Sequence, residues 1–447
     1  MQRILISQCL DKTGEEVKLA GFVQTVRSHG KIAFFDLRDR SGFLQIGAFG
    51  KDLASEVGAL NQQDVVEIIG NVKKREERYI NADSLTGSIE LEIKTLTVIS
   101  KSAEMPFDMA GKDLDLQLPT LLDYRSLTLR HPKVSPIFTV QAAILAGFRK
   151  IARELGCTEI VVPTIAASST EGGAEVFSVD YYGYPTFMTQ SPQLYKQMLV
   201  PVFERVYTIA RAYRAEPSVT TRHLSETTQM DCEFGFVTFT QLLDLLETVI
   251  IETLKYAEDE CRDVLKQFSV ERISFGKIPR LTLRQAQEII YKETGRDNRT
   301  EKDLTPQDEV DICTWSLKNH RSDLVTVTHF PTLKRAFYTK PDPSDPQFSL
   351  SYDVLFRGVE ISSGSQRIHE YSELVETIKK RGMDPKNFAL YLQAFKYGMP
   401  PEGGFSFGLE RITMHMLNLQ NIRQASLYPR DMERVDERLS VLYPNKK

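Results

Sequence analysis

Arg214, Glu216, Arg222 and His223 crowd one short stretch, RAEPSVTTRH, of a 447-residue chain. Arginine carries a fixed charge and a planar fork of donors that matches phosphate oxygens. Two arginines at this spacing therefore suit a polyphosphate, and Glu216 is placed to accept from the amine of a nucleobase. The same residues also fit a salt-bridged surface hairpin, whose exposed ion pairs would contribute little. This stretch alone leaves both readings open. The elements that must position it are two alternating runs, Val206, Tyr207, Ile209 before it and Met230, Cys232, Phe234, Phe236 after it. Joined by a polar loop over Pro217–Thr221, they read as a β-hairpin with cations at both shoulders.

Composition narrows what surrounds the hairpin. The chain is long enough for two or three domains, and its 41% hydrophobic and 26% charged residues fit a globular protein. No window approaches the ~18 consecutive apolar residues of a membrane span. The start, MQRILISQCLDKTGEE, has no secretory h-region. Cys9, Cys157, Cys232, Cys261 and Cys313 are odd in number, scattered and without a Cys-x-x-Cys pair. They read as reduced thiols of a cytoplasmic protein and not as a zinc site. With a net charge of −4, any nucleic-acid contact must come from local patches.

Residues 17–100 carry five short alternating or apolar runs, interrupted by one helix-like stretch, KDLASEVGALN. Five strands in this length fit a small OB-type barrel. Its binding face would carry Arg27, Phe34 and Gln45: a cation for phosphate, an aromatic for stacking and an amide for a base edge. Taken by itself, Phe34 fits a core position slightly better.

Residues 101–133 are polar and bounded by prolines, and read as a hinge. From residue 134 the pattern turns to mixed helix and strand, with helical segments around 240–320. The run FTVQAAILAGFRKIARELG has apolar residues at 3–4 spacing and stops at Gly156. Next come a strand ending at Pro163, the Gly-rich loop ASSTEGG with Glu171, and TQSPQLYKQML with Gln193 and Lys196. After the helices, an acidic strand runs from Asp353 through Glu360 and Ser363 to Arg367. Last, a Gly-rich strand runs into Gly408-Leu409-Glu410-Arg411. No Ser-His-Asp or Cys-His arrangement has recognisable spacing, so the residues favour charge neutralisation over a protein nucleophile.

The ordered blocks TEGGAEVF, TQSPQLYKQML, YRAEPSVTTRHLSE, GVEISSGSQRIHE, GLER and NIRQASLYPRD resemble class II aminoacyl-tRNA synthetases. The resemblance is nearest to aspartyl-tRNA synthetases of the short archaeal/eukaryotic kind, and it spans essentially the whole chain. It implies an α+β multidomain protein: an OB-fold anticodon-binding domain over 1–100, a linker over 101–133 and a class II catalytic domain over 134–447. The implied function is aspartate–tRNA ligase, with ATP and Mg²⁺, L-aspartate and tRNA(Asp), and with tRNA(Asn) as a second candidate acceptor. A homodimer is also implied, and no membrane.

The site residues implied by the resemblance follow by matched position. Arg214 holds the α-phosphate and substrate carboxylate, Glu216 the adenine amine, and Arg222 and His223 the outer phosphates beside Leu224. Gly408, Leu409, Glu410 and Arg411 complete the ATP site, with Arg411 on the γ-phosphate. Glu360, Ser363 and Asp353 hold Mg²⁺ through oxygen. Glu171 and Gln193 orient the amino acid, while Lys196 and Arg367, as two buried cations, select an acidic side chain. On this resemblance Phe34 becomes a stacking residue for the anticodon.

The chain departs from the family in three places, one of them Ala210-Arg211 where the family has Gly-Pro before the arginine strand. The adenine-stacking phenylalanine is Thr227, and the glycine two before Gly408 is Ser406, whose hydroxymethyl is expected to crowd the nucleotide. An asparagine–tRNA ligase is the nearest alternative, disfavoured by Lys196. A tRNA-independent asparagine synthetase-like paralogue is another, disfavoured by the barrel.

Overall fold

The structure is a computed structural model that describes every residue except 83, 112, 168–174, 218–219 and 445–447. It divides into two compact units, Met1–Leu121 and Leu122–Lys447. Among the described residues, no helix is long and apolar enough to cross a membrane.

In the first unit, β1 (Glu16–His29), β2 (Ile32–Asp39), β3 (Gly42–Phe49), β4 (Val65–Lys74) and β5 (Ile89–Ser100) close into a barrel in the order β1-β2-β3-β5-β4. Period-2 alternation decides which side chains fill it. Ala33, Phe35 and Leu37 of β2 are buried, so Phe34 and Asp36 stand on the outer wall. The expected helix follows β3, at Lys51–Gly58.

Residues 101–133, read from sequence as a hinge, are anchored on both sides of the unit boundary. Ser102 N donates to Asp64 at 2.7 Å, and Gln24 Nε2 donates to the carbonyl of Met109 at 2.6 Å. Past the boundary, the buried Arg125 donates to the carbonyls of Gln424, Ser426 and Leu427. Polar, proline-bounded composition looks like a linker whenever its partners lie far away in sequence.

The second unit holds β6 (Thr158–Glu159), β7 (Ile165–Ala166), β8 (Ser178–Tyr181), β9 (Tyr184–Met188), β10 (Arg205–Tyr213) and β11 (Glu226–Gly235). It continues with β12 (Arg280–Thr282), β13 (Leu324–Thr328), β14 (Ser351–Phe356), β15 (Val359–Gln366) and β16 (Glu402–Gly408). Eight of these form one sheet in the order β12-β13-β14-β15-β16-β11-β10-β6, antiparallel except at its two outer pairs. The remaining three form a small sheet, β7-β9-β8. The hairpin is β10 with β11, Tyr213 opposite Glu226. Phe236, expected to continue its return strand, instead leaves it at φ +56° with an exposed ring.

Two helices back the sheet. Ser135–Glu154 buries Ile137, Val140, Ile144, Phe148 and Ile151, a 3–4 stripe, and the chain turns at Gly156 with φ +79°. Phe239–Glu260 starts at a capping box between Thr238 and Gln241 and ends at Cys261. They approach closely at Gly147, where an added Cβ would lie 3.1 Å from Tyr256 and 3.2 Å from the Thr253 carbonyl. Gly147→Val is accordingly expected to destabilise the second unit by about 1–3 kcal/mol, the usual range for overpacking. Chemical denaturation measures it, and an unchanged midpoint would show that the helices have room to part.

Candidate active site

The register of four strands builds the floor. Asp353 of β14 pairs with Ser363 of β15, Ser363 with Ser406 of β16, and Ser406 with Asp231 of β11. A second row joins Ser351, Ser365, Gly404 and Glu233. Gly404 is required by close approach: a Cβ there would fall 2.2 Å from both a Glu233 carboxylate oxygen and the Cys232 carbonyl.

Over this floor lies a cleft of about 240 Å³, lined by Arg214, Glu216, Arg222, His223, Glu360 and Arg411 among others. Every arginine among its described lining residues has an internal acid nearby. Arg214 lies 3.7 Å from Glu216, His223 3.7 Å from the same carboxylate, Arg222 3.3 Å from Glu309 and Arg411 3.8 Å from Glu360. Arg411 also donates to the Glu360 carbonyl at 3.1 Å. Burial, then the charge of Glu360, pushes the Glu309 carboxyl up to about 7. Burial and Asp353 likewise raise Glu360, against the pull of Arg411 and Arg335.

Glu360 and Ser363 are three apart, and a straight strand would aim them at opposite faces. Between β14 and β15 the register slips: Leu355 pairs with Glu360 but Val354 with Ser362, so Ile361 is an extra residue. The bulge brings both side chains to the cleft. Asp353 and Glu360, expected on one strand, sit on two, joined by a turn at Arg357 and Gly358 with φ +48° and +87°. Asp353 is also engaged by Arg335, at 2.6 Å through Oδ2, while its buried Oδ1 has no hydrogen-bond partner among the described residues.

Behind the floor the amino-acid residues form a buried ionic cluster. Lys196, 1% exposed, lies 2.7 Å from Asp231 and 3.1 Å from Glu233. Arg367 donates to Glu233 at 2.7 Å, to Gln193 at 3.2 Å and to Ser365 at 2.7 Å. The sequence reading left these two cations needing a substrate acid; the structure supplies internal ones. Burial alone would raise Glu233, but the charges of Arg367 and Lys196 override it and hold the carboxyl at about 2. Ser406 links cluster to cleft: it lines the cleft, and its hydroxyl donates to Asp231 at 2.8 Å. The hydroxymethyl expected to crowd a nucleotide is thus turned to the floor.

The structure brings Arg214, Glu216, Arg222, His223, Leu224, Glu360, Ser363, Gly408, Glu410 and Arg411 around one cleft. It removes Leu409, whose side chain belongs to the hydrophobic core at 3% exposure, so this side chain does not meet a nucleotide. The Glu410 carboxylate accepts from Thr228 N at 3.0 Å and pins the strand edge. Thr227 lines the cleft, and none of the described lining residues is Phe, Tyr or Trp. Glu171 lies outside the described residues. Sequence reasoning missed Asp231, Glu233, Glu309 and Arg335. Asp231 and Glu233 were legible in principle, because they alternate with the apolar Met230, Cys232 and Phe234 and so share the opposite face of that strand.

On the barrel wall, Arg27 pairs in register with Phe34 and Asp36 with Gln45. Phe34 is half-buried and meets Phe49 edge-on at 6.1 Å, while Gln45 donates to Glu90 at 3.1 Å. Phe49, exposed beside Phe34, is a second aromatic of this face that the sequence did not single out.

A closed five-stranded barrel and a largely antiparallel sheet carrying an arginine-lined cleft define a class II tRNA synthetase with an OB-fold domain. Residues 117–432 match the family of class II tRNA synthetases (D, K and N), and residues 17–99 match the OB-fold nucleic acid binding domain. The chain belongs to this family of ATP-using ligases, whose substrates are an amino acid and tRNA. It is 38% identical to an aspartate–tRNA(Asp/Asn) ligase of Thermus thermophilus, over 97% of this chain and 99% of that one. It is 36% identical to an aspartate–tRNA(Asp) ligase of Pyrococcus horikoshii, over 94% and 96%. Among solved structures it resembles asparaginyl-tRNA synthetase from Pyrococcus horikoshii complexed with asparaginyl-adenylate, with TM-score 0.89 and 27% identity, covering 97% of this chain and 99% of that one.

The arginines of the cleft also act on His415, which lies one helical turn beyond Arg411 and whose buried Nε2 has no hydrogen-bond partner among the described residues. Burial, then the charges of Arg222 and Arg411, lowers its pKa from 6.5 to about 4. A depressed histidine adds stability above its unfolded value that is lost as pH falls through the folded one. Unfolding free energy is therefore expected to fall on acidification from 6.5 towards 4. His415→Gln should flatten that part of the denaturation profile; parallel profiles would refute the assignment.

Proposed function

We propose that this protein is an aspartate–tRNA ligase. The observation that carries the reading is the pair Lys196 and Arg367, buried directly behind the cleft floor and connected to it through Asp231 and Ser406. An acidic side chain reaching there would share the two cations with Asp231 and Glu233, in a low-dielectric site where charge pairing is strong and an unpaired charge costly. The names of the relatives, aspartate–tRNA ligases of two tRNA specificities, support it.

In the first step a substrate carboxylate oxygen attacks the α-phosphorus of ATP, the bond to pyrophosphate breaks and aminoacyl-adenylate forms. In the second, a ribose hydroxyl of the tRNA 3′ end takes the acyl group and AMP leaves. Arg214 holds the α-phosphate and draws the carboxylate towards it. Glu216 accepts from the adenine amine. Arg222, His223 and Arg411 receive the outer phosphates by exchanging their internal acids for phosphate oxygens.

The residues fit a bound Mg²⁺. Glu360, the Ser363 hydroxyl and the unpartnered Oδ1 of Asp353 are hard oxygen donors on adjacent strands. No three His, Cys, Asp or Glu side chains converge among the described residues, so phosphate and water oxygens would complete the shell. When bound, the ion neutralises phosphate charge.

Gln193 orients the amino acid through Arg367. Phe34 stacks on an anticodon base, Gln45 reads a base edge and Arg27 meets the backbone. We assign the acceptors as tRNA(Asp) and, in line with the dual-specificity relatives, tRNA(Asn). The chain acts as a homodimer in the cytoplasm, a compartment that suits five free, buried cysteines. The likeness to asparaginyl structures favours a second reading, asparagine–tRNA ligase.

Pyrophosphate exchange with aspartate and asparagine separately, then charging of both tRNAs, decides between them. Exchange with aspartate is expected, and exchange with asparagine alone would overturn the proposal. Lys196→Leu should raise the KM for aspartate by about 100-fold, in line with the ~3 kcal/mol of a broken buried pair, and leave the KM for ATP unchanged. Phe34→Ala should weaken tRNA charging by about 1–3 kcal/mol while leaving exchange intact. Equal loss of exchange would remove Phe34 from tRNA binding.

A further inference from the structure

Glu402 opens β16, is 0% exposed, and sits against the amino-acid cluster. Gln197 Nε2 donates to its Oε1 at 2.6 Å. Its Oε2 is buried and receives no N–H or O–H from the described residues. The neighbour in hydrogen-bonding range is the carboxylate of Glu233. Two carboxylates cannot share a dry contact when both are charged, and a single proton between them satisfies both oxygens.

The groups acting on Glu402 are Glu233 from β11, Arg367 after β15, Gln197 from the helix Gln193–Met198 and Tyr391 from the helix Ala389–Lys396; Lys196 and Tyr338 lie one neighbour further, against Glu233 and Arg367. Lys196 and Arg367 are the cations among them, and with Asp231 beyond Lys196 there are three acids. If all three acids were ionised, the cluster would carry an excess negative charge. If Glu402 holds a proton, Asp231 and Glu233 balance the two cations.

We propose that Glu402 is a specificity-determining positioning residue. Its carboxyl donates a hydrogen bond to Glu233, holds that acid against Arg367, and keeps the pocket free of the extra negative charge that would repel an acidic amino acid. The consequence for the substrate rests on the aspartate reading above; the hydrogen bond does not. Burial first, then the charge of Glu233, pushes the Glu402 carboxyl well above the usual carboxylate range, with Arg367 and Gln197 opposing. The direction agrees with the geometry.

Rising pH removes the proton and places a negative charge beside Glu233. The KM for aspartate of the wild-type enzyme should therefore rise on the alkaline side, with the KM for ATP steady. In Glu402→Gln the amide can still accept from Gln197 and donate to Glu233, so the KM should stay near the wild-type value and the alkaline rise should vanish. Glu402→Leu removes the donor and should raise the KM for aspartate about tenfold or more, the scale of a lost hydrogen bond to a charged group. Gln197→Met removes the donor that favours the ionised form and should move the alkaline rise to higher pH.

A readout without any amino acid is the stability of the ligand-free protein. A carboxyl raised by folding adds stability below its unfolded pKa that is lost as pH rises through the folded one. Wild type should lose that increment as pH rises from the unfolded carboxylate value of 4.5 towards the folded one, and Glu402→Gln should not. If the stability profiles of wild type, Glu402→Gln and Gln197→Met coincide, the proposal is overturned, whichever amino acid is activated. Should Glu402→Gln not fold, an alkaline rise unmoved in Gln197→Met also overturns it. Exchange with asparagine alone counts instead against the aspartate reading.

Discussion

The catalytic unit depends on a buried ion cluster, Lys196 with Asp231 and Glu233, and Glu233 with Arg367. Removing one partner of such a pair typically costs about 3–5 kcal/mol, because the other charge is left uncompensated in a dry interior. The cluster draws on the helix Gln193–Met198, on β11 and on the segment after β15, three parts of the chain far apart in sequence. None can shift by one residue without turning a charge into the hydrophobic core on the other face of the sheet. The strand register that places the cleft floor is thus also the register that keeps these charges paired.

The same logic, relaxed by solvent, operates in the cleft. Arg214, Arg222 and Arg411 each rest against an acid at 3.3–3.8 Å, longer than the 2.7 Å contacts of the buried cluster. Longer and partly exposed pairs contribute little individually. Cations held this loosely keep their direction, and under the proposed function they would release their acids when phosphate oxygens arrive. The two sets of ion pairs would then divide the work, tight ones holding the sheet and loose ones receiving a polyanion.

Much of this was legible in the sequence, for identifiable reasons. The hairpin, the barrel, the helix ending at Gly156 and the nucleotide-side cations are carried by local patterns of alternation, spacing and residue type. What local pattern did not reveal was long-range partnership. Arg335 and Glu309 belong to the site only because they fold onto β14 and the hairpin loop. Glu360 and Ser363 share a face only because of a bulge at Ile361. Leu409 stands in a motif of consecutive residues, but at the helix start its side chain packs into the core beside the equally buried Glu410. The segment 101–133 contains the boundary between the two units, and the groups that anchor it, Asp64 in the first unit and the carbonyls around Ser426 in the second, are invisible from its own composition.

The two departures on β16 and β11 have different physical meanings. Gly404 and Ser406 lie two apart on one strand and face the same side, yet only one tolerates a side chain. At 404 the Glu233 carboxylate occupies the space a Cβ needs; at 406 the neighbour is Asp231, which accepts the added hydroxyl at 2.8 Å. A serine there therefore completes a chain of polar contacts from the cleft surface through Asp231 to Lys196. Thr227 supplies no such compensation. It sits opposite Ala212, and its small side chain leaves the cleft wall without an aromatic face. Under the proposed function, adenine recognition would fall to Glu216 and to the flat guanidinium of Arg411, together with the aliphatic Leu224 and Ile422, which line the same cleft.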